Sequence, residues 1–254
     1  MGNNILDTPR SQRYDSKSEY PLEYEERNFD YEGDEFTDFM EFRLIYEGQL
    51  KGSGNKNPRV SEKHAIRKQI HKQLAELWKT HPTLISMSSH IRLPKDAPLR
   101  SVPINDAIGR GAQGDHGSTY VETMARQFDR CGFHFVPLVS KGLDFVCSLN
   151  ILFLRRENPG DLLAQGGDID NRIKTLFDAL RIPSNCNEVV GTPEPDENPF
   201  YCLLEDDCLV TELSVTTDRL LTPLKEGQHK NEVVLIIQVK AKAVKVTFEN
   251  LSLL

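Results

Sequence analysis

A chain of 254 residues, 38% hydrophobic and 27% charged, carries enough apolar material for a core, and its formal net charge of −7 argues against a simple polyanion binder. The average conceals a division: residues 1–50 hold 13 acidic and 5 basic side chains, whereas residues 51–254 hold 25 acidic and 26 basic. The longest apolar run, Val233 to Ile237, is far too short to span a bilayer, and the start MGNNILDTPR lacks the apolar stretch of a secretory signal, so a cytoplasmic protein is expected.

In chain order, residues 1–35 read as an acidic flexible arm, and residues 36–254 as the folded domain. Met40, Phe42, Leu44 and Tyr46 alternate with mostly polar residues and predict a strand. Ile66, Ile70, Leu74 and Leu77 then follow a helical period over Ser61 to Lys79, with Ser61 as the expected N-cap. The opposite surface of that helix carries Lys63, Arg67, Lys68 and Lys72, and His64 and His71 read as surface histidines. Residues 51–80 hold 8 basic and 2 acidic groups, so this segment is the expected phosphate-contacting surface, for which the acidic arm would compete. Residues 92–118 read as a loop; its Gly109 to Gly114 string matches G-x-G-x-x-G but follows no credible strand. A short helix is expected from about Thr119 to Asp129.

The second half alternates strongly. Leu143, Phe145, Cys147, Leu149, Ile151 and Phe153 predict a long strand, with Arg155 and Arg156 at its end as a second candidate nucleic-acid contact. A helix over about 170–181, a Pro- and Asn-rich loop over 183–199, and strands near 208–217 and 232–246 complete the reading. The segments near 92–130 and 183–199 are taken as inserted loops. Mixed strands and helices without regular βαβ alternation indicate an α+β class with a mixed sheet. The five cysteines include no C-x-x-C pair, so neither a disulfide framework nor a zinc ribbon is indicated.

Chemistry concentrates in Gly166-Gly167-Asp168-Ile169-Asp170-Asn171-Arg172-Ile173-Lys174, followed by Asp178, and in Glu205-Asp206-Asp207 ahead of a strand. Ile173, Leu176, Phe177 and Leu180 form one apolar stripe, which leaves Asp170, Lys174 and Asp178 on another helix face. With residues 168–170 extended, Asp168 and Asp170 would project to one side. Clustered carboxylates repel one another unless a cation or proton intervenes. An all-oxygen donor set suits Mg²⁺, with Mn²⁺ as a substitute. Bound metal lowers the pKa of water and clamps a phosphoryl centre, and Lys174 would add positive charge where the transition state develops negative charge. An EF-hand is excluded because Ile173 stands where the loop requires Gly and Ala179 where it requires Glu.

These residues resemble the RusA-like Holliday-junction resolvases, whose hallmark is a D-x-D-N-x-x-K-x-x-x-D-x-L helix start and a later acidic pair opening a strand. Asp168, Asp170, Asn171, Lys174, Asp178 and Leu180 fill the first motif, and Asp206-Asp207-Cys208-Leu209-Val210 the second. The resemblance implies a small mixed sheet with flanking helices, here extended at the N-terminal end, in a homodimer that cuts branched DNA with Mg²⁺. It puts the metal on Asp168, Asp170 and Asp207 and makes Lys174 the catalytic lysine. Asp206 would support the metal ligands and Asp178 would orient Lys174. The chain is about twice the length of a minimal member, and its 92–130 region has no counterpart there. Two other classes fit parts of the pattern: a non-catalytic nucleic-acid-binding protein of the same fold, and a nucleotidyl or glycosyl transferase using the D-x-D.

Overall fold

Alternating hydrophobicity builds the largest sheet of the computed structural model. The structure describes residues 38–52, 59–89, 92–93, 118–156, 168–223 and 232–244. The arm at 1–35, the Gly109 to Gly114 string and Gly166-Gly167 lie outside these, as does the Asp168 side chain.

β1 (Asp38–Gln49), β9 (Glu232–Ala243), β6 (Phe145–Arg155) and β8 (Val210–Arg219) lie in that spatial order. β9 runs antiparallel to β1 and β6, and β8 runs parallel to β6. Phe145, Cys147, Leu149, Ile151 and Phe153 of β6 are buried beside Val233, Leu235, Ile237 and Val239 of β9, whereas intervening residues such as Ser148, Asn150 and Gln238 keep access to solvent. This two-residue period marks a sheet with one face on the core and one towards water.

A smaller sheet has the order β4 (Asp129–Arg130), β5 (Phe133–Val139), β7 (Phe200–Leu204). β4 and β5 form a hairpin whose two-residue loop, Cys131-Gly132, has positive φ at both positions (58° and 85°), as a type I′ turn requires. β5 and β7 are parallel. A two-stranded ladder joins β2 (Arg92–Leu93) to β3 (Ser118–Thr119).

Four helices accompany the sheets among the described residues. α1 (Val60–Thr80) packs against β1, β7, α2 (Pro82–Ser89) and α4 (Asp168–Leu180), burying Ile66, Ile70, Leu74 and Trp78. It begins one residue before Ser61, and Arg59 precedes it in a left-handed conformation without a side-chain cap. α3 (Tyr120–Gln127) is capped by Thr119, whose Oγ1 accepts from the Glu122 N–H while the Glu122 carboxylate accepts from the Thr119 N–H. This reciprocal pair satisfies two donors that a helix start leaves open. Residues 183–199 form the expected loop, with 3₁₀ turns at Cys186–Glu188 and Pro195–Glu197. The fold is a mixed α+β arrangement of small sheets and helices. No helix among the described residues is long and apolar enough to cross a membrane.

One expectation about covalent structure is overturned: Cys131 and Cys186 form a disulfide with Cα atoms 5.7 Å apart. The partners come from a hairpin tip and a 3₁₀ turn that only the tertiary fold brings together, so spacing in the chain gave no sign of the pair. Cys147 and Cys202 are buried thiols and Cys208 is exposed.

Candidate metal centre

The site begins where α4 meets the turn ahead of β8. Ile173, Leu176, Phe177 and Leu180 direct one stripe of α4 inward: Leu176 and Leu180 are fully buried, and Ile173 and Phe177 pack on the core. Asp170, Asn171 and Lys174 are exposed as a result. Thr175, buried on the helix, donates to the carbonyls of Lys51 and Asn171 at 3.0 and 2.9 Å, which ties α4 to the chain leaving β1.

The start of α4 differs from the extended geometry expected for residues 168–170. Asp168 already lies in the first turn, so residues 168–170 are helical rather than extended. Asp170 therefore sits within the first turn, where a carboxylate is favoured by the helix dipole.

The acidic pair lies at a change of sheet. β7 ends at Leu204, and the chain passes through Glu205, Asp206 and the 3₁₀ turn Asp207–Leu209 into β8. That turn packs against both α4 and β6. Asp206 organises it: Oδ1 accepts from the Cys208 N–H at 3.0 Å, and Oδ2 accepts from Lys141 Nζ at 3.0 Å. The Cys208 amide first, and the Lys141 ammonium second, hold the Asp206 carboxyl far below the usual carboxylate range. Asp207 stands next to it, exposed. A cavity of about 380 Å³ opens beside the turn, lined by Arg130, Arg181 and Ser184 as well as Glu205, Asp206 and Asp207.

Asp178 does not orient Lys174. Its Oδ2 lies 2.6 Å from Lys63 Nζ, and its Oδ1 accepts from Arg181 at 3.2 Å. Both oxygens are thus committed to cations on the side of α4 that meets α1. Among the described residues neither Asp170 nor Asp178 pairs with Lys174, which faces solvent.

The basic surface expected on α1 is also revised. Arg67 is only 1% exposed; its guanidinium donates to the carbonyls of Asp178 at 2.8 Å and Glu188 at 3.2 Å. Lys68 is held by Glu194 at 2.9 Å and Glu197 at 2.7 Å. With Lys63 paired to Asp178, three of the four cations fasten α1 to α4 and to the 183–199 loop. Lys72 remains exposed. Arg155 is buried, with Arg156 half-buried beside it, so the end of β6 does not present two open guanidinium groups.

His64 and His71 lie on the buried side of α1. His71 stacks on Phe200, with ring centroids 4.4 Å apart; its Nδ1 accepts from the Tyr201 N–H and its Nε2 faces the Asp196 carbonyl at 3.0 Å. This pattern assigns the neutral tautomer protonated at Nε2. Burial lowers the His71 pKa. Burial, followed by the charges of Arg67 and Lys68, lowers that of His64 to about 4. Trp78 stacks on Tyr201 in the same aromatic row, which sequence spacing did not reveal because the partners are remote in the chain.

Among the described residues, no three Asp, Glu, His or Cys side chains converge as a metal-holding group. The donors offered by Asp170 and Asp207 are carboxylate oxygens, a chemistry that fits Mg²⁺ or Mn²⁺ rather than a soft metal. Compared with known proteins, the chain matches no family model, no curated protein and no solved structure.

Proposed function

We propose that the protein is a Mg²⁺-dependent endonuclease that hydrolyses phosphodiester bonds in branched DNA, in the manner of the RusA-like Holliday-junction resolvases it resembles. The observation carrying this reading is the packing of the Asp207–Leu209 turn against α4, since these elements bear the two acidic motifs. Asp168, Asp170 and Asp207 would hold the ion. Bound metal would activate water and stabilise charge on the phosphate. Lys174, exposed one turn beyond Asp170, would add a point charge towards the same phosphate. Homodimerisation, with Mn²⁺ as a substitute ion, belongs to the same proposal.

The test is cleavage of a panel of four-way junction, flap, duplex and single-stranded substrates in Mg²⁺, Mn²⁺ or chelator. Divalent-dependent cutting of the branched substrates is expected. Asp170→Asn should reduce it by at least about 100-fold while DNA binding persists, as loss of charge stabilisation at a reacting centre commonly does. Undiminished cutting by Asp170→Asn would remove that residue from the mechanism, and no cutting of any substrate would overturn the reading.

A further inference from the structure

Two chain segments cross from the small sheet to the large one side by side. The first leaves β5 at Val139 and enters β6 through Ser140 and a 3₁₀ turn at Lys141–Leu143. The second leaves β7 at Leu204 and enters β8 through the acidic turn. They run together because β5 pairs with β7 and β6 with β8, both in parallel.

Three contacts join the crossings. The Glu205 N–H donates to the Val139 carbonyl at 2.9 Å. The Lys141 N–H donates to Glu205 Oε2 at 2.8 Å. Lys141 Nζ donates to Asp206 Oδ2 at 3.0 Å. Asp206 then shapes the turn, accepting from the Cys208 N–H with Oδ1 and from the Leu209 N–H with its carbonyl at 3.3 Å. Of three consecutive acidic side chains, the first two are therefore engaged in fixing the backbone that carries the third.

We propose that Lys141 is a positioning residue: its ammonium, clasping Asp206 beside the backbone contact to Glu205, sets where the Asp207 carboxylate stands relative to α4. This inference rests on the proposed metal-dependent cleavage. Lys141 is about half exposed, with a side-chain exposure of 52%, and an ion pair so open to water contributes little to overall stability. Its removal therefore leaves a folded chain in which the consequence is local.

The test compares the full chain with Lys141→Met and Lys141→Arg by two measurements. In backbone amide hydrogen exchange, Cys208 and Leu209 should exchange at least about tenfold faster in Lys141→Met, recover in Lys141→Arg, and leave the central amides of β9 unchanged. In Mg²⁺-dependent cleavage of a four-way junction, Lys141→Met should lower kcat at least about tenfold with KM nearly constant, because a small displacement of a catalytic group acts on the reacting geometry. Lys141→Arg should restore it. Unchanged exchange at Cys208 and Leu209 would overturn the clasp. Faster exchange with undiminished kcat would overturn the positioning role. Absence of cleavage by the unaltered chain would overturn the proposed reaction, while the exchange measurement would still decide the clasp.

Discussion

His64 sits at 5% exposure between aromatic rings and cations: its ring meets Phe133 edge-on, and its Nδ1 faces Arg67 Nη1. Arg67 and Lys68 oppose its protonation and Glu197 favours it, but burial is the largest influence. The Glu197 carboxyl is itself pushed up by burial, yet hydrogen bonds from the Glu194 backbone and Lys68 outweigh this and keep it below its ordinary value. Because the folded pKa of His64 is about 4 against 6.5 ordinarily, the unfolded chain binds the proton more tightly between those values. Stability contributed by neutral His64 is present above pH 6.5 and is lost as pH falls towards 4. The melting temperature should fall over that window, and His64→Gln should flatten that part of the profile. An unaltered slope in the variant would show that other groups set it.

At the scale of elements, the Cys131–Cys186 bridge ties the tip of the β4–β5 hairpin to the loop after α4. Both adjoin the cavity beside the acidic turn, through Arg130 on one wall and Arg181 to Ser184 on the other. The bridge closes an interval of 55 residues, for which the chain-entropy argument gives about 4 kcal/mol of stabilisation. Reduction, or Cys131→Ser with Cys186→Ser, should lower the denaturant midpoint without changing the secondary-structure spectrum; identical midpoints would refute the contribution. The bridge also indicates where sequence reading stops. The helices α1 and α4 and the strands β1, β6 and β9 were legible because each carries a regular apolar period that matches one buried face, whereas β8, mostly exposed, shows no such period. β5 and β7 were not, since Phe133–Val139 and Phe200–Leu204 are short and almost wholly buried and show no alternation. The cations of α1 were legible as residues but not as partners. Lys63, Arg67 and Lys68 read as a phosphate-contacting surface until α4 and the 183–199 loop supply Asp178, Glu188, Glu194 and Glu197. The acidic motifs were legible in order and spacing, while the helical start at Asp168 and the role of Lys141 depend on local backbone and on a contact 65 residues away.

Across the molecule, the two edges of the large sheet are treated differently. β1 is covered by α1: Gln73 accepts from the Ile45 N–H at 2.9 Å and donates to the Ile45 carbonyl at 2.6 Å, and Gln69 donates to the Glu47 carbonyl at 3.2 Å. Side-chain amides there stand in for a further strand. At the opposite edge, most of β8 is exposed, including Leu213 at 48%. Hydrogen exchange across the sheet should therefore be slowest in β9 and β6 and fastest at the outward amides of β8, and uniform protection of all four strands would contradict this. The parallel pairing that creates the two crossings has a kinetic consequence. Lys141 and Asp206 meet only when a sequence separation of 65 has been looped, and parallel strands give no hairpin to start from. Loop-closure entropy must be met before such contacts return any free energy, which puts them at the slow end of folding. A nascent chain would therefore hold both acidic motifs for some time before the turn that carries the second is packed against α4.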